Sequence, residues 1–239
     1  MDGSVTLGES TVANVEIVLI RHGQPEWVRD GLNVADPPLT ELGHRQADWM
    51  AQALAGEHFD EVLVSPLTRA RQTAEPLLRA LGRDESVEPW LEEIRDPDWH
   101  GTPSEHSEAL YRELRERPVD DRWHGLVGGE SAREFNDRIH VGAAAFLEAR
   151  GAARVEHEIA HWKIADPGLR IALVAHGGTN AVTIGHLLGF EPTPWEWERF
   201  LLGHASVTRL VAVPVHGGFT FSLKSLSNLE HVPPQHRTH

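Results

Sequence analysis

A chain of 239 residues with 22 Lys and Arg against 36 Asp and Glu carries a formal net charge of -14 and has no cysteine. The acidic balance argues against a nucleic-acid or anionic-membrane partner. The missing cysteines exclude disulfides, thiol catalysis and Cys-ligated zinc. Such a length suits one α/β domain able to bury a sizeable core. Residues 1–14 are small and polar and lack the charge and apolar pattern of a signal peptide, and no apolar run reaches membrane-spanning length. The expectation is a cytoplasmic protein with a flexible leader over 1–14, a single catalytic domain over 15–230 and a flexible tail over 231–239.

Val15 to Ile20 reads as a buried parallel strand that stops at Arg21-His22-Gly23. In open α/β sheets ligands bind beyond the carboxyl ends of the strands, which is where Arg21 and His22 would stand. The loop from Gln24 to Pro38 is long enough to suggest a functional role. Thr40 then caps a predicted helix bearing Leu42, Ala47, Met50 and Leu54. Val62 to Val64 predicts a second strand, stopped by Ser65-Pro66, and Leu67 to Leu81 a helix with Arg69 in its first turn. On position alone Arg69 reads as an exposed helix charge.

Ser86 to Pro89 suggests a third strand leading to Glu92 and Glu93, which sit between Trp90 and Trp99. A charged helix is predicted over Ser104 to Arg115, and another begins at the N-cap candidate Ser131. His157-Glu158-Ile159-Ala160-His161 matches the zinc-protease helix pattern, but no third-ligand motif follows, so a surface helix is the preferred reading. Ile171 to Ala175 repeats the opening design, a buried strand running into His176-Gly177-Gly178-Thr179. A helix then ends at Gly189, Glu191 to Leu201 forms a short helix or lid-like loop, and Ser206 to Val213 with Phe219 to Leu223 alternate as a closing pair of strands. Two imidazoles at adjacent strand ends would meet, although geometry alone chooses neither His22 over His176 nor Glu93 over Glu92.

The ordered set Leu19-Ile20-Arg21-His22-Gly23, Pro38-Leu39-Thr40, Ser65-Pro66-Leu67-Thr68-Arg69, Leu91 with Glu93, Gly129-Glu130-Ser131 and His176-Gly177-Gly178 resembles the histidine phosphatase superfamily, which includes the phosphoglycerate mutase-like enzymes. The resemblance implies a three-layer α/β/α sandwich with a mostly parallel central sheet. It implies that His22 is a transiently phosphorylated nucleophile and Glu93 the proton donor. Arg21, Arg69 and His176, with Gly177, would bind phosphate.

Phosphoryl transfer asks for an in-line nucleophile and positive charge around the equatorial oxygens, which these residue types supply without a metal or cofactor. The expected activity is a histidine acid phosphatase-type phosphomonoesterase acting on a small phosphorylated metabolite. Cofactor-dependent mutases of the superfamily typically carry Ser and Asn where this chain has Pro25 and Val28, and an Arg-His-Tyr-Gly stretch where it has Ile94-Arg95-Asp96-Pro97. A bisphosphoglycerate-dependent mutase is therefore the second reading. A silent phospholigand-binding module is the third, and a zinc hydrolase on His157 and His161 a distant fourth. Pro97 could displace Glu93, His204 stands where many members have Asn, and Trp27, Trp99 and Trp123 could line an apolar mouth. The oligomeric state is open, a homodimer being one option.

Overall fold

In the computed structural model, which describes residues 15–155, 160–166 and 168–239, the chain is organised by strand β1 (Glu16–Arg21). Its residues alternate between two cores: Ile17 and Leu19 join one cluster, Val18 and Ile20 the other. That is the period of a strand buried on both faces. Two short strands, β2 (Val28–Arg29) and β3 (Leu32–Asn33), form a hairpin within the long loop after it. Helix α1 (Glu41–Leu54) follows, capped by the Thr40 side chain accepting from Gly43 N–H.

Next come β4 (Glu61–Val64), α2 (Thr68–Leu81) and β5 (Ser86–Val87). Helices α3 (Ser104–Glu116), α4 (Val119–Arg122) and α5 (Ala132–Glu148) lead to β6 (Ala152–Arg154) and β7 (Trp162–Ile164). α5 opens on a reciprocal capping box between Ser131 and Glu134. The chain finishes with β8 (Arg170–Ala175), α6 (Gly177–Leu188), α7 (Glu196–Arg199), β9 (Val207–Val215) and β10 (Gly218–Asn228).

The eight-stranded sheet runs β5-β4-β8-β1-β9-β10-β7-β6. From β5 to β1 the strands are parallel, and from β1 to β6 each pairs antiparallel with its neighbour. The sheet is thus mixed, and its parallel half carries the predicted site. α1 and α2 cover one face, with Met50, Leu54, Ala70, Ala74 and Leu77 packed on Val18, Ile20, Val64 and Val174. α5 and α6 cover the other, with Phe146, Leu147, Ile184 and Leu187 against Ile17, Leu19, Ile171 and Leu173. This is the expected three-layer architecture.

Two expectations need correction. Residues 231–239 do not form a free tail. Val232 is fully buried, the His236 ring stacks on Trp49 at 5.4 Å, and Gln46 Nε2 donates to the His236 carbonyl at 2.8 Å. Gln46 is a buried amide needing partners, and this segment supplies them. The zinc-motif helix also fails where it can be judged. His161 lies in non-helical chain at the entrance to β7, and Arg154 pairs with Trp162 across an antiparallel ladder. His157, like the leader over 1–14, lies outside the described residues, among which no three His, Cys, Asp or Glu side chains are grouped to hold a metal ion. No described helix is long and apolar enough to cross a membrane.

The loop after β1 and helix α1 approach so closely that a Cβ on Gly43 would sit 2.2 Å from the Gln24 carbonyl oxygen, whereas one on Gly56 meets nothing within 4 Å. Gly43→Ala should therefore cost about 1–3 kcal/mol in urea unfolding, with Gly56→Ala close to neutral. Equal stabilities for the two variants would contradict this packing.

Candidate active site

Parallel register brings the site together. Arg21 pairs with Ala175 and Val64 with Val174, so β1, β8 and β4 end at one edge and release Arg21-His22, His176 and Ser65 side by side. His22 N–H donates to the Ala175 carbonyl at 2.9 Å, and the two imidazole centroids lie 5.1 Å apart. Thr73 on α2 ties a third element in, accepting from Gly23 N–H at 2.9 Å while donating to the Arg69 carbonyl at 2.7 Å.

His22 Nδ1 lies 2.7 Å from the Gly23 carbonyl oxygen. That oxygen can only accept, so Nδ1 carries the proton and Nε2 keeps its lone pair. Burial, then His176, Arg69 and Arg21, hold the His22 imidazole well below its ordinary value of 6.5. His176 is held down likewise by burial and then by Arg69, Arg21 and Arg138. Its Nε2 meets Ser65 Oγ at 2.7 Å, a hydroxyl that also accepts from Leu67 N–H at 3.4 Å. With the serine proton directed to Nε2, His176 Nδ1–H is a donor.

Arg69 is 3% exposed, contrary to the exposed charge read from its position. It lies 3.7 Å from Asp36, with the Trp27 ring 4.8 Å from its guanidinium carbon. Arg21 donates to the Leu202 carbonyl and meets His204 Nε2 at 3.1 Å. Burial outweighs the neighbouring Glu93 charge and brings Arg21 down to about 10. Arg21 Nε, Arg69 Nε and His176 Nδ1 are buried without a hydrogen-bond partner among the described residues.

Glu93 reaches this cluster from the turn that buries Leu91. Its Oε2 accepts from Gly178 N–H at 2.9 Å and its Oε1 from Thr179 Oγ1 at 3.4 Å. A Cβ at position 178 would meet Oε1 at 2.5 Å, so the second glycine of the His-Gly-Gly motif makes room for the carboxylate. Gly177 packs beside Arg21, where a Cβ would lie 3.5 Å from Nε. Arg138 holds the Glu93 loop, donating to the carbonyls of Glu92 at 3.0 Å and Glu93 at 3.2 Å while gripping Glu130 bidentately. Pro97 packs near Gly129, and Glu93 keeps these contacts despite it.

Arg21, His22, Arg69, Glu93, His176 and Gly177 are therefore all brought together. Sequence reasoning missed Ser65, Thr179 and Arg138. Ser65 was visible as a strand stop and Glu130, the partner of Arg138, as part of a turn, both inside the family motifs but without a role assigned to either. Of the tryptophans, Trp27 covers Arg69, Trp99 meets the edge of Tyr111 at 5.5 Å, and Trp123 stacks under Arg133 instead.

The model of the histidine phosphatase superfamily (branch 1) matches residues 17–223, and the chain belongs to that superfamily. A probable phosphoglycerate mutase GpmB of Cronobacter sakazakii is 29% identical over 202 residues, 82% of this chain and 84% of that protein. The mycobacterial glucosyl-3-phosphoglycerate phosphatase complexed with inorganic phosphate superposes with a TM-score of 0.66 at 29% identity, covering 91% of this chain and 99% of that one. A structure named mycobacterial hydrolase 2 gives 0.66 at 26% identity, covering 92% and 93%.

Burying neutral histidines makes stability depend on pH. His186 and His204 are held down to about 3 by burial and neighbouring charge, and His22 and His176 well below 6.5. The unfolded chain binds protons from 6.5 downward while the folded imidazoles do not. Their contribution is complete above 6.5 and is lost as pH falls toward the folded values. Tm should fall between about pH 7 and about pH 5; a Tm that rises over this span would contradict the assignment.

Proposed function

We propose that this protein is a histidine acid phosphatase-type phosphomonoesterase that hydrolyses small phosphorylated metabolites through a phosphohistidine on Nε2 of His22, without a metal ion. One observation carries the reading: a neutral imidazole of fixed tautomer shares its pocket with buried nitrogens on Arg21, Arg69 and His176 that have no hydrogen-bond partner among the described residues. Leaving such donors unsatisfied costs about 1–3 kcal/mol each, and a phosphate's equatorial oxygens match them. A guanidinium about 4 Å from a phosphate charge contributes about 4 kcal/mol at an effective dielectric of 20. The donors stay in place as charge shifts in the transition state.

In the first step the Nε2–P bond forms as the ester P–O bond breaks, and Glu93 gives the leaving oxygen its proton. In the second, Glu93 takes a proton from water, the hydroxide attacks phosphorus, and the N–P bond breaks to restore neutral His22. Because burial, then His176 and the two guanidiniums, hold His22 well below 6.5, the nucleophile stays unprotonated in mild acid.

Hydrolysis is favoured over mutase chemistry by the charge at the mouth. Arg95 is already engaged by Glu92, and Arg29 by Glu26, so neither is free for a second phosphate. Asp36 sits against Arg69, and Asp96, bonded to the Tyr111 hydroxyl, is close enough to Arg69 and Glu93 to feel both charges. Acidic groups here oppose retention of a bisphosphate. The resemblance to proteins named phosphoglycerate mutase keeps that activity as the second reading.

The test is hydrolysis of a phosphomonoester panel in the presence of a chelator. Wild type should turn over, and His22→Ala should lose at least about 10³-fold in kcat. Unchanged activity in His22→Ala would overturn the nucleophile, and bisphosphoglycerate-stimulated interconversion of phosphoglycerates would favour the mutase. Phosphate binding without turnover would favour a silent module.

A further inference from the structure

The segment expected to hang free ends directly behind the phosphate pocket. We propose that Thr238, acting through His204, is a positioning residue for the Arg21 guanidinium. The inference rests on the phosphate-binding role proposed above for Arg21.

The chain of contacts fixes its own proton positions. A guanidinium has only donors. Arg21 Nη2, 3.1 Å from His204 Nε2, must therefore donate to that nitrogen. A neutral imidazole accepting at Nε2 carries its proton on Nδ1, and Nδ1 lies 2.8 Å from Thr238 Oγ1. The ring is neutral in the working range, since burial and the Arg21 charge bring it down to about 3. Thr238 Oγ1 is itself held, accepting from Gln46 Nε2 at 3.0 Å, and Gln46 Oε1 accepts from Gln24 N–H two residues beyond His22. The Thr238 carbonyl accepts from His204 N–H at 3.0 Å, so backbone and side chain grip the same histidine. His204 is 4% exposed, and its ring centroid is 5.6 Å from that of His22.

Arg21 thus sets the tautomer of His204, and the Thr238 hydroxyl supplies the acceptor that its Nδ1–H requires. Without it, the buried Nδ1–H loses its acceptor, and the alternative tautomer would point Nε2–H at the Arg21 N–H, donor against donor. The guanidinium would then lose a partner that fixes its plane, and a small misplacement of a preorganised charge is expensive for catalysis.

The experiment compares Thr238→Val, which keeps the shape and removes the hydroxyl, with Thr238→Ser, which keeps the hydroxyl, both in the full chain. The dissociation constant for inorganic phosphate is measured by calorimetry, kcat and KM with p-nitrophenyl phosphate, and the His204 tautomer by nitrogen-15 NMR. Thr238→Val should weaken phosphate binding and kcat/KM by about tenfold and shift the His204 nitrogen signals away from the Nδ1–H form. Thr238→Ser should stay within about twofold of wild type on all counts. A merely structural role for the segment would lower Tm in Thr238→Val without moving the tautomer or phosphate affinity, and that result would overturn the proposal. Wild-type phosphate affinity and tautomer in Thr238→Val would overturn it too, leaving the phosphatase reading intact. A wild-type chain that neither binds phosphate nor hydrolyses the ester would bring down the parent reading and this role together.

Discussion

The hydrogen bond from His22 Nδ1–H to the Gly23 carbonyl decides what the rest of the site can be. A buried imidazole without that bond could carry its proton on either nitrogen, and half of those states would turn a donor toward the reacting group. With Nδ1 committed to the backbone, Nε2 is the only atom of this ring with a lone pair to offer. Desolvation, His176 and the two guanidiniums then all disfavour protonation, so tautomer and charge state are set by the same burial.

Burying Arg21 and Arg69 beside each other is unfavourable, since neither charge is fully compensated by protein. The fold accommodates this with the carboxylates of Glu93 and Asp36, a carbonyl from Leu202 and the acceptor nitrogen of His204. They come from three separate parts of the chain, and the parallel half of the sheet sets the edge at which they meet. The antiparallel half serves the same edge indirectly. β9 pairs with β1, and the turn before β9 carries His204, whose neighbour Ala205 donates its N–H to the His22 carbonyl. Arg138 extends the principle outward, fixing the Glu93 loop to α5 while Glu130 braces its guanidinium.

How much of this could be read beforehand depended on whether the signal was local. Apolar runs ending in Arg21-His22-Gly23 and His176-Gly177-Gly178 announce buried strands with polar ends, and cap residues such as Thr40 and Ser131 mark helix starts. Those elements were legible. Arg69 was not, because a first-turn arginine looks the same whether it faces water or a pocket. Only the docking of α2 over the β1 turn, through Thr73, decides. Residues 230–239 lack any periodicity, and their order comes from single anchors: Val232 in the core, His236 on Trp49, and two bonds to Gln46. Likewise the spacing of His157 and His161 matched a helix, while the flanking residues were claimed by the ladder between β6 and β7. Choosing His22 over His176 rested on family resemblance. The structure adds a physical distinction, since His176 engages Ser65 through Nε2 while among the described residues no side chain engages Nε2 of His22.

The most direct measurement is to mix the protein with a phosphorylated substrate, quench in alkali within the first turnover, and locate the phosphoryl group by mass spectrometry and phosphorus NMR. The account predicts one acid-labile phosphoryl group on Nε2 of His22. A phosphoryl group on Nδ1, on His176 or on no histidine, while hydrolysis proceeds, would contradict it.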